Sequence, residues 1–354
     1  MRTLAAYLTR TVLLATGLVL MVLLAIAGFI EFIGQLDNTG TGSYSTAGAV
    51  LYTALRLPLI AVDMLPVAAL LGGLLGLGGL AAHSELVAMR AAGISARRLA
   101  ASVAVSGVLL AVVGGIVGEY IAPPLDQFAR KYRSAERNQA DLAGQRNTWV
   151  RDGQRIFNVQ SIDDQLQFGG VYVFEISEDE RLSMIAYARR ADLAEGNEWS
   201  LQNLSQTRFD GRKALGETLD SSVQRYNVDA ELLGIAALRP SSLSLRGLYA
   251  YLNYLKANKL DSRAYATEWW SRLSDIAAVV LMPILAIGFV FGSLRSSGAG
   301  ARLLVGMLIG LTYFLASRTL ANSGQVFALE PFVVGIAPAA ALAIITAIAV
   351  NRVR

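Results

Sequence analysis

The chain has 354 residues, one histidine, no cysteine and a formal net charge of +4, and it is 54% hydrophobic but only 16% charged. Soluble domains carry about 25% charged residues, so this deficit, with a mean hydropathy of +0.46, points to a membrane. The missing cysteines exclude a disulfide framework, a thiolate metal site and a cysteine nucleophile, and His83 alone excludes a multi-histidine metal site within the chain.

A helix that crosses a bilayer needs about 20 mostly apolar residues. Six segments meet that measure or come near it: 11–30, 57–82, 99–118, 276–294, 303–329 and 331–350. Asp63 is the one charge in the second, and Arg318 interrupts the fifth. The first run is too long for a signal-peptide core and has no clear small-residue cleavage site, so no cleavable leader is expected. Arg2 and Arg10 precede the first span, and Arg90, Arg97 and Arg98 lie between the second and third. Arg295 and Arg302 lie between the fourth and fifth, and Arg352 and Arg354 follow the sixth. The alternate loops, 34–49 and 322–330, contain no Lys or Arg. The positive-inside rule then puts both termini in the cytoplasm and the long segment between the third and fourth spans outside it.

That segment has the composition of a soluble domain. Its first part, 125–146, is polar and reads as a helix continuing the third span. Short β-branched and aromatic runs follow at 148–150, 156–159, 171–176, 182–193, 199–209 and 218–228, with turn signals at Asp152-Gly153, Glu195-Gly196-Asn197 and Asp210-Gly211. Strands at this spacing suggest a sandwich, barrel or jelly roll. Leu245, Leu248, Leu252 and Leu255 then recur at helical spacing, with tyrosines beside them, and predict an amphipathic helix at the membrane surface. Trp269 and Trp270 fit an interfacial aromatic belt. The expected organisation is residues 1–123 with three spans, 124–263 with an inserted all-β domain and flanking helices, and 264–354 with three more spans.

Between the second and third spans, residues 83–95 read as a short helix. Leu86, Met89 and Arg90 recur at helical spacing, and Gly93 is placed to end it. Such a helix either docks in a groove of a cytoplasmic partner or lies on the membrane as an ordinary loop. His83 suits a polar role at the interface. Helix-compatible glycine pairs (Gly72 and Gly76, Gly114 and Gly118, Gly306 and Gly310) suit close packing, chiefly within the chain. Charges near or inside the spans are Glu31, Arg56, Asp63, Asp275 and Arg318. Groups of this kind face a bundle interior or a wet cavity. Arg56 and Arg318 have two readings: contact with phosphate or carboxylate head groups, or pairing within the chain to Glu31 or Asp63. No G-x-x-x-x-G-K-[ST] phosphate loop occurs, so uphill work would draw on another subunit or a gradient.

Several stretches resemble the LptF/LptG family of lipopolysaccharide export permeases. They are Arg10-Thr11, Gln35-Leu36, Gly42-Ser43-Tyr44, Leu51-Tyr52-Thr53, the run from Pro66 to Gly72, Gly118-Glu119-Tyr120-Ile121-Ala122-Pro123, Tyr254-Leu255-Lys256, Trp270-Ser271-Arg272 and Phe291-Gly292-Ser293-Leu294-Arg295-Ser296. The most specific is Ser84-Glu85-Leu86-Val87-Ala88-Met89-Arg90-Ala91-Ala92-Gly93, and together they cover nearly the whole chain. The resemblance implies a multi-pass inner-membrane permease subunit, paired with an LptF-like permease over a dimer of the ATPase LptB, where ATP and Mg would bind. It also implies an LptC-like bitopic partner, lipopolysaccharide as cargo, a periplasmic jelly roll, and no cofactor or nucleic acid on this chain. Ser84, Glu85, Leu86, Met89, Arg90 and Gly93 then fall on the family's coupling helix. The first and fifth spans would form the gate, and Glu31, Arg56, Asp63, Arg133 and Arg318 are the candidates for the substrate cavity. Family members often carry lysines near the outer end of the first span, where this chain has Glu31, Asp37 and Asn38. The alternatives are a membrane-bound transferase acting on envelope lipids, or a structural tether. The absence of His and Cys from the outer segment argues against the transferase.

Overall fold

A computed structural model describes residues 2–137, 148–162, 167–177, 179, 181–194, 198–210, 213–226, 240–291, 298–327 and 329–352. The chain divides into two compact units: Met1–Arg137 with Ser244–Arg246 and Arg263–Arg354, and Asn138–Leu243 with Gly247–Ser262.

In the first unit, α1 (Arg2–Leu36) is followed by α2 (Thr46–Ala82), a short α3 (Glu85–Ala91), α4 (Ala96–Ile116) and α5 (Ala122–Arg137). After the second unit and α6 (Leu245–Ala257) come α7 (Arg263–Phe291), α8 (Ala299–Val326) and α9 (Pro331–Arg352). Six helices among the described residues are long and apolar enough to cross a membrane: α1, α2, α4 with its continuation α5, α7, α8 and α9. The expected fifth span begins four residues early, because Gly298, extended at φ −65° and ψ 166°, starts α8 at Ala299. The third span does continue into the polar α5, but through a π turn at Val117–Ile121. Pro123 and Pro124 have no N–H to give the carbonyls of Glu119 and Tyr120, so the ladder widens there, and the Ala122 N–H reaches back to the Val117 carbonyl.

The core of this unit is built on α2 and α7. Leu70, Leu74 and Leu77 meet Met282, Leu285 and Val290, with Leu99 and Val103 of α4 and Leu8 and Val12 of α1 closing round them. Small residues set the approach distances. A Cβ on Gly107 would stand 2.8 Å from the Val280 backbone, so α4 and α7 touch main chain to main chain there. All six glycines of the expected pairs pack inside the chain; Gly72, for one, lies against the Thr16 backbone. By contrast, α1 leaves Leu14, Leu18, Met21 and Phe29 exposed, and α8 leaves Leu304, Leu308 and Leu315 exposed.

Among the described residues the second unit holds one antiparallel sheet in consecutive order: β1 (Thr148–Asp152), β2 (Arg155–Ile162), β3 (Gln167–Ile176), β4 (Leu182–Ala194), β5 (Glu198–Asp210) and β6 (Lys213–Arg225). The first hairpin turns on Gly153 and Gln154, one residue beyond the expected Asp152-Gly153, with Gly153 at φ +58° and Asp152 paired to Arg155. The sheet is creased. In β3 the buried positions run Val173, Val171 and then Phe168; in β4, Ala186, Ala188 and then Ala191; in β5, Leu204 and then Leu201 and Trp199. The alternation thus changes phase in each strand, at Gly170, at Arg189-Arg190 and at Asn203. Gly170 has φ +64° and Asn203 has φ +51°, which turns the pleat over. The ladder steps over Gln160, Gly170, Arg189, Asn203 and Asp220, five residues in line across neighbouring strands. A side chain at Gly170 would strike Gln160 opposite it.

Trp199 is fully buried and stacks on Phe168 at 5.1 Å and Phe157 at 6.0 Å, and Tyr226 meets Phe157 edge-on at 4.8 Å. Burial pushes the Tyr226 phenol up to about 12, Arg155 pulling the other way. In α6, Leu248, Tyr251, Leu252 and Leu255 are buried, the expected stripe with Tyr251 in place of Leu245. The Tyr254 hydroxyl accepts from the Arg151 N–H at 2.8 Å and donates to its carbonyl at 2.6 Å, and burial raises its pKa. The turn at Glu195-Gly196-Asn197, Gly211, the segments 138–147 and 227–228, and the stretch 292–296 lie outside the described residues.

Candidate functional site

The short helix α3 forms where the sequence places it. Ser84 enters in a left-handed conformation, φ +61°, and Gly93 leaves in one, φ +86°. At the exit the Gly93 N–H bonds the Arg90 carbonyl and the Ile94 N–H bonds the Met89 carbonyl, both orphan acceptors of the last turn. Glycine is required there because only it enters the left-handed region at no steric cost.

Three ties hold α3 to the spans. Leu86 is 2% exposed and is buried in one cluster with Leu8, Leu77, Leu99, Ile287 and Val290, which come from α1, α2, α4 and α7. The Tyr7 hydroxyl donates to Glu85 Oε2 at 2.8 Å. The Arg90 guanidinium sits 5.5 Å from the centre of the Phe291 ring, and Met89 packs at the edge of the same core. The face that recurs at helical spacing in the sequence therefore points inward. The outward face is Ser84, Val87, Ala88 and Ala91, one side of the helix by its i, i+3, i+4, i+7 spacing. Spacing alone would have found it as the complement of the apolar stripe. His83 is exposed, its Nδ1 2.9 Å from the Gly79 carbonyl oxygen.

The five cavity candidates fall in two groups. Arg56 pairs with Glu31 at 2.5 Å and with Asp126 at 3.0 Å, and Arg130 takes the other Asp126 oxygen at 2.8 Å. Asp126 is completely buried and was not singled out from the sequence, where it reads as one more charge on a polar helix. Arg133 donates to Gln35 Oε1 at 3.2 Å and lies 4.7 Å from the Tyr52 ring centre, with Arg56 at 5.6 Å from the same ring. Near this group Tyr44 is buried, which raises its pKa against the lowering pull of Arg133. The second group is Arg318 with Asp63 at 3.0 Å, half-exposed, beside Asp275, which receives the Tyr313 hydroxyl at 3.3 Å. Arg56 and Asp63 are seven residues apart on α2 and so share a face. Both arginines are paired within the chain, as the second of the two readings had it. Arg133 has no carboxylate partner among the described residues.

The sequence matches the family described as "Lipopolysaccharide export system permease LptF/LptG" over residues 6–352. It is similar to the lipopolysaccharide export system permease protein LptG of Escherichia coli strain K12, with 32% identity over 343 residues, 96% of this chain and 95% of that one. It is also similar to the protein of the same name from Haemophilus influenzae strain KW20 / Rd, with 30% identity over 327 residues, 92% of this chain and 91% of that one. With six apolar helices in place and a match running from end to end, the chain belongs to the LptF/LptG family of lipopolysaccharide export permeases.

Proposed function

We propose that the chain is a permease subunit that takes lipopolysaccharide from the outer leaflet of the inner membrane and passes it towards the periplasmic β domains, driven by an ATPase on separate chains. Both termini and α3 are cytoplasmic, by the arginine distribution, and the β domain is periplasmic. The partners are an LptF-like permease, an LptB-like ATPase dimer that binds ATP and Mg, and an LptC-like bitopic protein. The uncovered faces of α1 and α8 are where the second permease and the acyl chains of the cargo are received.

The observation that supports this reading best is the seat of α3. A force applied to its outward face reaches α1 through Tyr7 and Leu8, α2 through Leu77, α4 through Leu99 and α7 through Ile287 and Phe291. A helix fastened to four spans moves them as one body. Docking then falls to Ser84, Val87, Ala88 and Ala91, with Glu85, Leu86, Met89, Arg90 and Gly93 shaping and holding the helix. Within the group of Arg56, Arg130, Arg133, Glu31 and Asp126, the three arginines outnumber the two carboxylates by one positive charge. Arg133, stacked on Tyr52, is the group left to meet a phosphate of the cargo.

The test is a charge in the outward face. Ala88→Asp in the full complex abolishes co-purification of the ATPase and export while leaving membrane insertion intact. Glu85→Lys, which strikes the Tyr7 tie, leaves the ATPase bound but lowers export per ATP hydrolysed. An Ala88→Asp complex recovered at normal yield with normal export refutes the docking face.

A further inference from the structure

Of the six long apolar helices, α8 is the least buried. It lies antiparallel on α2, and glycines set the approach. A Cβ on Gly306 would strike Leu71 and Leu74, and one on Gly310 would strike Val67. At one end of this contact Arg302 is 7% exposed, packed where α2 has Gly78; a Cβ there would fall on its guanidinium. At the other end the ties are polar and more open. Arg318 meets Asp63 of α2 at 3.0 Å, and these side chains are 46% and 42% exposed. The Tyr313 hydroxyl donates to Asp275 of α7 at 3.3 Å. Asp63, Asp275, Tyr313 and Arg318 line one small cavity, and Phe314 lies one turn from Arg318, its ring centre 5.6 Å from the guanidinium.

We propose that Arg318 and Tyr313 latch one end of α8 to Asp63 and Asp275, and that α8 swings outward about its buried Arg302 end when the latch opens. Lipid tails are as apolar as leucine, so the apolar contacts of α8 with α2 gain little over contact with lipid. The ion pair and the hydrogen bond therefore carry much of the preference for the closed position. An open, half-exposed pair is worth at most about a factor of five, a bias that a moving partner can overcome. A buried arginine packed against a glycine has no comparable way out, so the Arg318 end releases first. The latch itself needs no orientation. Its role, admitting acyl chains beside α8, rests on the proposed function, which puts Arg318 towards the outer side.

The chain has no cysteine, so one engineered pair reports the latch. A Cβ on Gly310 would lie 3.5 Å from the Val67 Cβ, within disulfide reach. Val67→Cys with Gly310→Cys is made in the full chain, and its oxidation rate is measured in inner-membrane vesicles that hold the complex. Asp63→Asn slows cross-linking about fivefold. Exchanging the charges, Asp63→Arg with Arg318→Asp, restores the rate to within twofold. Should Asp63→Asn fail to insert, Arg318→Gln carries the same expectation. Closing the disulfide stops export, and reduction restores it. The proposal is overturned if breaking the pair leaves the rate unchanged, if the exchanged pair stays slow, or if the locked chain exports normally. A wild-type complex that moves no lipopolysaccharide would instead count against the proposed function, with the cross-linking comparison still deciding the latch.

Discussion

Leu86→Ala separates the anchoring of α3 from its docking. The change empties a site 2% exposed between the ends of four helices. Truncations of this kind cost about 2–5 kcal/mol, the cavity included. The other two ties are weaker: one exposed hydroxyl–carboxylate bond and one half-buried guanidinium–ring contact of about 1 kcal/mol. Leu86 therefore supplies the larger part, and at about 3 kcal/mol its loss shifts the seated-to-released ratio of α3 about a hundredfold. Hydrogen exchange read by mass spectrometry on peptides spanning residues 84–94 measures that ratio. Exchange there should rise about a hundredfold while peptides from α7 keep their protection, and ATP hydrolysis should continue with less lipopolysaccharide released per cycle. Exchange within threefold of the wild type would show that Leu86 is not what fastens α3, and the transmission route built on it would fall.

Two further outcomes follow from the geometry. Asp126→Asn leaves Arg56 and Arg130 facing a neutral amide in a buried place and costs on the order of 3 kcal/mol; a thermal melt of the purified chain should fall, and a double-mutant cycle with Arg56→Met should show coupling between the two sites rather than additivity. Tyr226 has a folded pKa of about 12, raised by burial from 10.0. A raised phenol binds its proton more tightly when folded, so its contribution is fully present below pH 10 and is lost as the pH climbs from 10 to 12. The difference in stability between the wild type and Tyr226→Phe should stay level below pH 10 and shift against the wild type above it, and a flat difference across that window would contradict the burial.

Much of the architecture is legible in the residues. The six spans are written in runs of apolar residues, and the end of α3 in Gly93. Other features depend on neighbours distant in sequence. The stripe of Leu86, Met89 and Arg90 says that α3 has an apolar side, but not whether that side meets a partner or the chain's own spans. It meets the spans, because four helix ends converge on Leu86. Asp126 looks like surface charge on α5 until α2 brings Arg56 against it. The π turn is foreshadowed by Pro123-Pro124, whose missing donors act on residues three to five positions earlier. In the sheet, Phe168, Ala191 and Leu201 break the alternation set by Val171, Ala188 and Leu204, and such a slip is visible in one strand. That the slips fall in line emerges only from the pairing.

That alignment limits how the β domain can change over evolutionary time. Gln160, Gly170, Arg189, Asn203 and Asp220 keep their common line only while every strand retains its length between its turn and the fold line. Deleting one residue from β4 ahead of Arg189 would move Ala186 and Ala188 to the wet side and bring their polar neighbours in, with no matching slip in β3 or β5. Insertions should therefore gather in the connections, and strand lengths should be inherited as a set.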